Sequence, residues 1–198
     1  MGTILRVLLV DDNPDRAGAV RQALEAHGCV VAAVVPNASA LVDAVRRSAA
    51  EVIVCDLDSP SRDTLESLRA LQRDEPRPVA MFVDRSDPDS MVAAVDAGVA
   101  AYVVEGLAPE RVKSVLDVAM AQFRAHQALR SELQAARGAL EAREMTDRAK
   151  RLLMQTRGMS EDAAHRALRK MAMDRGKRLA DIAADVIAMA DILSNKSP

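Results

Sequence analysis

Apolar and polar positions change rhythm along this chain. Up to residue 105, short apolar runs alternate with segments of helical spacing. Val7–Val10, 30–35, 52–55, 79–83 and 101–104 are apolar on both faces, the pattern of strands in a parallel sheet covered on two sides. Between them, Ala17, Val20 and Leu24 recur at helical spacing over 14–27. Gly28 stands where a helix would end. Residues 38–48, 62–73 and 88–97 read as the next helices. Strand and helix alternating with short connections predicts a doubly wound, flavodoxin-like α/β domain with a five-stranded parallel sheet.

Beyond Pro109 the strands stop. From there to Arg157 no proline follows, and Gly138 is the one glycine. One nearly continuous helix is therefore predicted over 109–157, roughly 70 Å at about 1.5 Å per residue. Leu129, Leu133, Ala136 and Leu140 are spaced 4-3-4. Two heptads fit a short coiled-coil homodimer seam over 129–140, and they equally fit an exposed connecting helix without a partner. Gly158 breaks the helix and Ser160 supplies an N-cap, with Glu161 and Asp162 in the first turn. That helix should bury Ala164, Ala167, Leu168 and Met171 and close at Gly176. A last one carries the apolar stripe Leu179, Ile182, Ala183, Val186, Ile187 and Ala190. Three domains follow: 1–122, a helical linker at 123–144, and a three-helix unit at 145–195.

Charge separates the two ends. The chain's net charge is −2. Residues 1–110 nevertheless hold 10 Lys and Arg against 18 Asp and Glu, whereas 144–178 hold 10 against 5. The basic end is a candidate for contact with a phosphate backbone. Its set is Lys150, Arg151, Arg157, Arg166, Arg169, Lys170, Arg175, Lys177 and Arg178. Nothing aromatic follows Phe123, so stacking on unpaired bases would fall to guanidinium planes such as Arg151, Arg166 or Arg169.

Aromatics make up 2% of the chain and Trp is absent, so the core must be aliphatic. No apolar run approaches the roughly 18 residues a membrane span needs. No secretory signal is expected either, because Met1–Val10 leads directly into a strand. Cys29 and Cys55 lie in apolar runs and read as buried thiols in a cytoplasmic protein. His27, His126 and His165 are scattered, and no nucleophile–base pair is visible. An enzyme is not expected.

At the carboxyl ends of the predicted strands, where such sheets gather ligands, Asp11 and Asp12 follow the first strand and Asp56 the third. Converging carboxylates favour a cation, and oxygen-only ligands suit Mg²⁺. The stretches Val7–Asp12, Ile53–Pro60 and Ala97-Gly98 before Tyr102 resemble the response-regulator receivers over residues 4 to 122. By that resemblance Asp56 is the phospho-acceptor. Asp11, Asp12, Asp56 and the carbonyl of Asp58 would hold a weakly bound Mg²⁺. Two positions depart from the family: Val83 where a hydroxyl residue is usual, and Glu105 where a lysine is usual. Valine cannot donate a hydrogen bond and glutamate repels a phosphoryl oxygen, so the usual phosphorylation switch is not expected to work.

Ala149–Met154, Gly158–Ala163, Leu168-Arg169, Ala172-Met173 and Lys177–Ala183 resemble the ANTAR domain. The resemblance implies binding of hairpin loops in leader RNA and transcription antitermination. Leu57–Leu65 and Val103–Leu107 further resemble the NasT-type antiterminators of nitrate and nitrite assimilation. That group implies a nitrate-sensing partner of the NasS type, where other receivers answer to a histidine kinase. The alternatives are a DNA-binding two-component regulator and a protein-interaction adaptor. Against the first, the final helix, which would read the groove, carries Asp181, Asp185 and Asp191.

Overall fold

The five apolar runs pair in parallel, in the order β2-β1-β3-β4-β5. The strands are β1 (Leu5–Val10), β2 (Cys29–Val35), β3 (Val52–Leu57), β4 (Val79–Val83) and β5 (Ala101–Val104). The computed structural model describes residues 4–39 and 41–194. Met1 and Asn195, the outer ends of the first and third expected domains, lie outside the described residues, as does Ala40 in the expected helix 38–48.

Alternation along the strands sorts two apolar layers. Val7, Leu9, Val52, Val54, Ala80 and Phe82 pack on one face, against α1 (Pro14–Ala26) and the first turns of α5 (Val112–Arg157). Leu8, Val10, Ile53, Cys55, Met81 and Val83 pack on the other. That face is covered by α2 (Leu41–Ser48), α3 (Arg62–Asp74) and α4 (Pro88–Asp96). The interior strands β1, β3 and β4 are apolar on both faces because both faces are covered. The edge strands differ from that expectation: β2 leaves Val30 exposed and β5 leaves Val104 exposed. An edge strand has a neighbour on one side only.

The long helix begins later than its sequence suggests. Pro109–Arg111 form a 3₁₀ turn, with the Arg111 N–H donating to the Ala108 carbonyl at 3.0 Å, and α5 follows for 46 residues. Leu129, Leu133 and Leu140 are exposed along it. Gly158 ends it at φ +63.

The chain divides into two compact units, Met1–Gln127 and Ala128–Pro198. In the second, α6 (Glu161–Arg175) and α7 (Leu179–Ser194) close on the last turns of α5. Ala149, Leu153, Ala164, Leu168, Ile182, Ala183 and Ile187 form its core. The Ser160 hydroxyl caps α6 by accepting from the Ala163 N–H. Gly176, at φ +61, ends it where a side chain would be strained. Among the described residues, no helix is long and apolar enough to cross a membrane.

Candidate functional site

Two adjacent strands fix the acidic pocket. Val10 of β1 pairs with Cys55 of β3, so Asp11, directly after β1, lies beside Asp56 near the end of β3, both buried. Asn13 then turns the chain into α1. Its N–H donates to Asp11 Oδ1 at 2.9 Å, and its own Oδ1 accepts from the N–H groups of Asp15 and Arg16. Pro14 follows at the first helical position, where its missing N–H costs nothing.

Arg16 therefore sits in the first turn of α1, and helical side chains lean toward the helix start. Its guanidinium reaches back over the strand ends. Nε donates to Asp11 Oδ1 at 3.0 Å, Nη2 to Asp12 Oδ1 at 2.9 Å and Nη1 to Asp58 Oδ1 at 2.8 Å. A further bond runs from Nη2 to the Asp56 carbonyl at 3.2 Å. Asp56 Oδ2 lies 3.7 Å from Nε, and Asp84 Oδ2 lies 3.9 Å from Nη1. Burial opposes charge on this guanidinium, but the bonds from Asp58 and Asp11 prevail and hold its pKa above the ordinary value. Burial pushes the Asp56 carboxyl up to about 6. Arg16 pulls it the other way, while Asp11, Asp84 and Asp58 push it up further.

The sequence places Asp11, Asp12, Asp56 and the Asp58 carbonyl here; in the structure the carboxylates of Asp11, Asp12, Asp56 and Asp58 lie around Arg16, while the Asp58 carbonyl faces the Arg85 N–H. Arg16 and Asp84 were missed. A lone arginine among acids was the available signal for Arg16. It is four residues after Asp12 and in a helical first turn, where a cation is unfavourable. Asp84 directly follows Val83, and its N–H donates to the Leu57 carbonyl at 3.3 Å.

The chemistry of the donors suits Mg²⁺, but their arrangement does not. Asp11 Oδ1 and Asp12 Oδ1 already accept from Arg16, and the Asp58 carbonyl accepts from the Arg85 N–H at 3.2 Å. Among the described residues, no group of three or more His, Cys, Asp or Glu is set to hold a metal ion. Asp11 Oδ2 and Asp56 Oδ1 are buried without a hydrogen-bond partner.

Val83 is fully buried in the layer under α2–α4. Glu105 lies at φ +78, followed by Gly106 at φ +73. With Arg16, Asp56, Asp84 and Leu107 these two line an open cavity of about 320 Å³ beside the pocket. The Tyr102 hydroxyl is hydrogen-bonded to Ser86 Oγ at 2.8 Å.

The basic residues of the second unit fall into two groups. Lys150 keeps only 14% of its side chain exposed and bridges Asp147 and Glu161, each at 2.7 Å. Lys177 pairs with Asp185 at 2.9 Å and Arg178 with Asp181 at 3.3 Å. Two of the three α7 aspartates thus neutralise cations of the preceding turn, and Asp191 lies 3.8 Å from Arg148. Arg151, Arg157, Arg166, Arg169, Lys170 and Arg175 are exposed and form no ion pair among the described residues. Arg166, Arg169, Lys170 and Met173 lie three, four and seven residues apart on α6, hence on one face. Met173 is 77% exposed there.

Comparison with known proteins follows the same division. A model of the response regulator receiver domain matches residues 7–117, and a model of the ANTAR domain matches 134–187. The transcriptional regulatory protein PdtaR of Mycobacterium tuberculosis is 25% identical over 185 residues, covering 92% of this chain and 90% of that protein. The nitrate/nitrite response regulator NarP of Escherichia coli is 34% identical over 110 residues, 54% of this chain and 51% of that protein. The receiver domain of a modulated diguanylate cyclase from Desulfovibrio desulfuricans superposes with a TM-score of 0.55 at 17% identity, over 63% of this chain and 99% of that one. That last likeness shows the fold alone. With the receiver model matching more than half of its length and the ANTAR model following, the chain belongs to the response regulators, as a receiver domain joined to an ANTAR domain.

Proposed function

We propose that this response regulator is a transcription antiterminator that binds hairpin loops in leader transcripts. In this reading residues 1–122 receive the signal, 123–144 form the helical linker, and 145–195 bind RNA. The observation that carries it is the exposed cationic face of α6, Arg166, Arg169 and Lys170, which forms no ion pair among the described residues and lies inside the segment matched by the ANTAR model. Arg151, Arg157 and Arg175 extend the set. Lys150, Lys177 and Arg178, each in an ion pair, are secondary contacts at most. The protein performs no catalytic step of its own and works in the cytoplasm.

Nitrate and nitrite assimilation is the narrower reading. It is supported by the resemblance of Leu57–Leu65 and Val103–Leu107 to the NasT type. A sensor protein of the NasS kind, rather than a histidine kinase acting through Asp56, is then the partner that holds the receiver. Leu129, Leu133 and Leu140, exposed on α5, are the seam through which two copies would pair on RNA.

Pull-down of cellular RNA with the full chain, followed by sequencing, tests the reading. Enrichment of leader transcripts with tandem hairpins supports it. Competition should then favour hairpin RNA over duplex DNA of equal length at physiological salt. If hairpin RNA has no advantage, antitermination is abandoned.

A further inference from the structure

We propose that Arg16 is the resident cation of the receiver pocket, a tethered guanidinium that takes the place a divalent metal would need among Asp11, Asp12 and Asp56. One side chain lies within 4 Å of five carboxylates, those of Asp11, Asp12, Asp56, Asp58 and Asp84. It is anchored at its base by the Asn13 cap and the first turn of α1. Mg²⁺ requires near-octahedral oxygen ligands at about 2.0–2.1 Å. Asp11 Oδ1 and Asp12 Oδ1, which it would use, both accept from this guanidinium.

A guanidinium cannot be deprotonated in a protein, so raising the pH does not free the site. A metal could enter only by displacing Arg16 or by sitting beside it as a like charge. Its tether also has a mechanical consequence. Through Asp58 it ties the β3–α3 connection to the start of α1. The carboxylates that receivers array around a metal are thus held together by the chain itself. The partnerless Asp11 Oδ2 and Asp56 Oδ1 mark where a metal would find ligands once Arg16 is gone.

Mn²⁺, as a probe for Mg²⁺, is titrated into the full chain and followed by water proton relaxation. The proteins are wild type, Asp56→Asn, Arg16→Met and the double variant. Methionine retains much of the apolar stem and removes the charge. Wild type and Asp56→Asn should be indistinguishable, because no metal sits at Asp56 in either. Arg16→Met should gain a site at least about tenfold tighter, a conservative figure for removing a unit charge about 4 Å away. Asp56→Asn in that background should abolish it. A wild-type site that Asp56→Asn removes overturns the proposal, as does a folded Arg16→Met protein with no gain. Should Arg16→Met fail to fold, comparison of wild type with Asp56→Asn still decides.

Discussion

Replacing Asp56 by Asn should stabilise the receiver, and by an amount that depends on pH. The carboxyl is buried beside Asp11, and its pKa is pushed up to about 6 from an ordinary 3.8 even with Arg16 nearby. Ionising it in the folded pocket is therefore disfavoured by about 3 kcal/mol, at roughly 1.4 kcal/mol per pKa unit. The folded state binds this proton more tightly than the unfolded chain does. Stability from this group is thus intact below about pH 4 and is lost as pH rises to about 6, staying low above that. Asparagine imitates the neutral acid. Asp56→Asn should accordingly match wild type near pH 4 and exceed it by up to about 3 kcal/mol near pH 8. With urea slopes of about 1–3 kcal/mol/M, the midpoint should move by about 1 M or more. Tyr102 is the chain's one tyrosine, Trp is absent, and the residue lies in β5. Its fluorescence therefore reports unfolding of the receiver alone. A variant that is neutral or less stable near pH 8 would show that attraction to Arg16 outweighs burial, and would refute this account of the pocket.

Other outcomes are as specific. Arg169→Ala with Lys170→Ala in the full chain should lower the salt slope of RNA binding by roughly 1.4, at about 0.7 per single-strand phosphate. Lys150→Ala should instead lower the melting temperature of the helical unit while changing the slope less, since its charge is committed to Asp147 and Glu161. Leu133→Glu with Leu140→Glu should give a folded monomer by light scattering; a wild type that is monomeric even with RNA removes the dimer seam. Incubation with acetyl phosphate and Mg²⁺ should leave the intact mass unchanged, and stoichiometric phosphorylation that raises RNA affinity would contradict that. The Cys55 thiol, driven up to about 12 by burial and by Asp56, should react with a disulfide reagent only as the receiver unfolds.

The elements of this fold were legible because each has a local cause. Doubly apolar runs became β1, β3 and β4, and Ser160 and Gly176 bounded α6 as caps do. Strand ends located Asp11 and Asp56 together for the same reason: a parallel sheet puts all its carboxyl ends on one side. Arg16 was not legible in this way. Its partners come from three segments, Asp11 and Asp12 after β1, Asp56 and Asp58 at the end of β3, and Asp84 after β4, and only folding brings these to one arginine. Lys150 shows the same limit. Helical spacing places it near Asp147, but its second partner, Glu161, lies beyond the Gly158 break. Sequence counts charges well and pairs them poorly, because pairing is tertiary.

Three features of the pocket act in one direction. Val83 supplies no hydroxyl and is committed to the core. Glu105 brings a negative charge to the cavity beside Asp56. Arg16 occupies Asp11 Oδ1 and Asp12 Oδ1. A phosphoryl group on Asp56 would enter with no hydroxyl to follow it, near an added carboxylate, and would have to draw Arg16 away from bonds it already makes. A ligand shifts a conformational equilibrium only by its difference in affinity for the two states. In the function proposed above, phosphorylation has little such difference to offer, and the signal to the ANTAR segment would come from a surface interaction. A sensor protein that binds the receiver in one state and releases it in another would supply that difference. Capture of RNA would then track the sensor's ligand rather than phosphate donors, and on the proposed nitrate reading the amount of free regulator would change with nitrate; no such change would count against that reading.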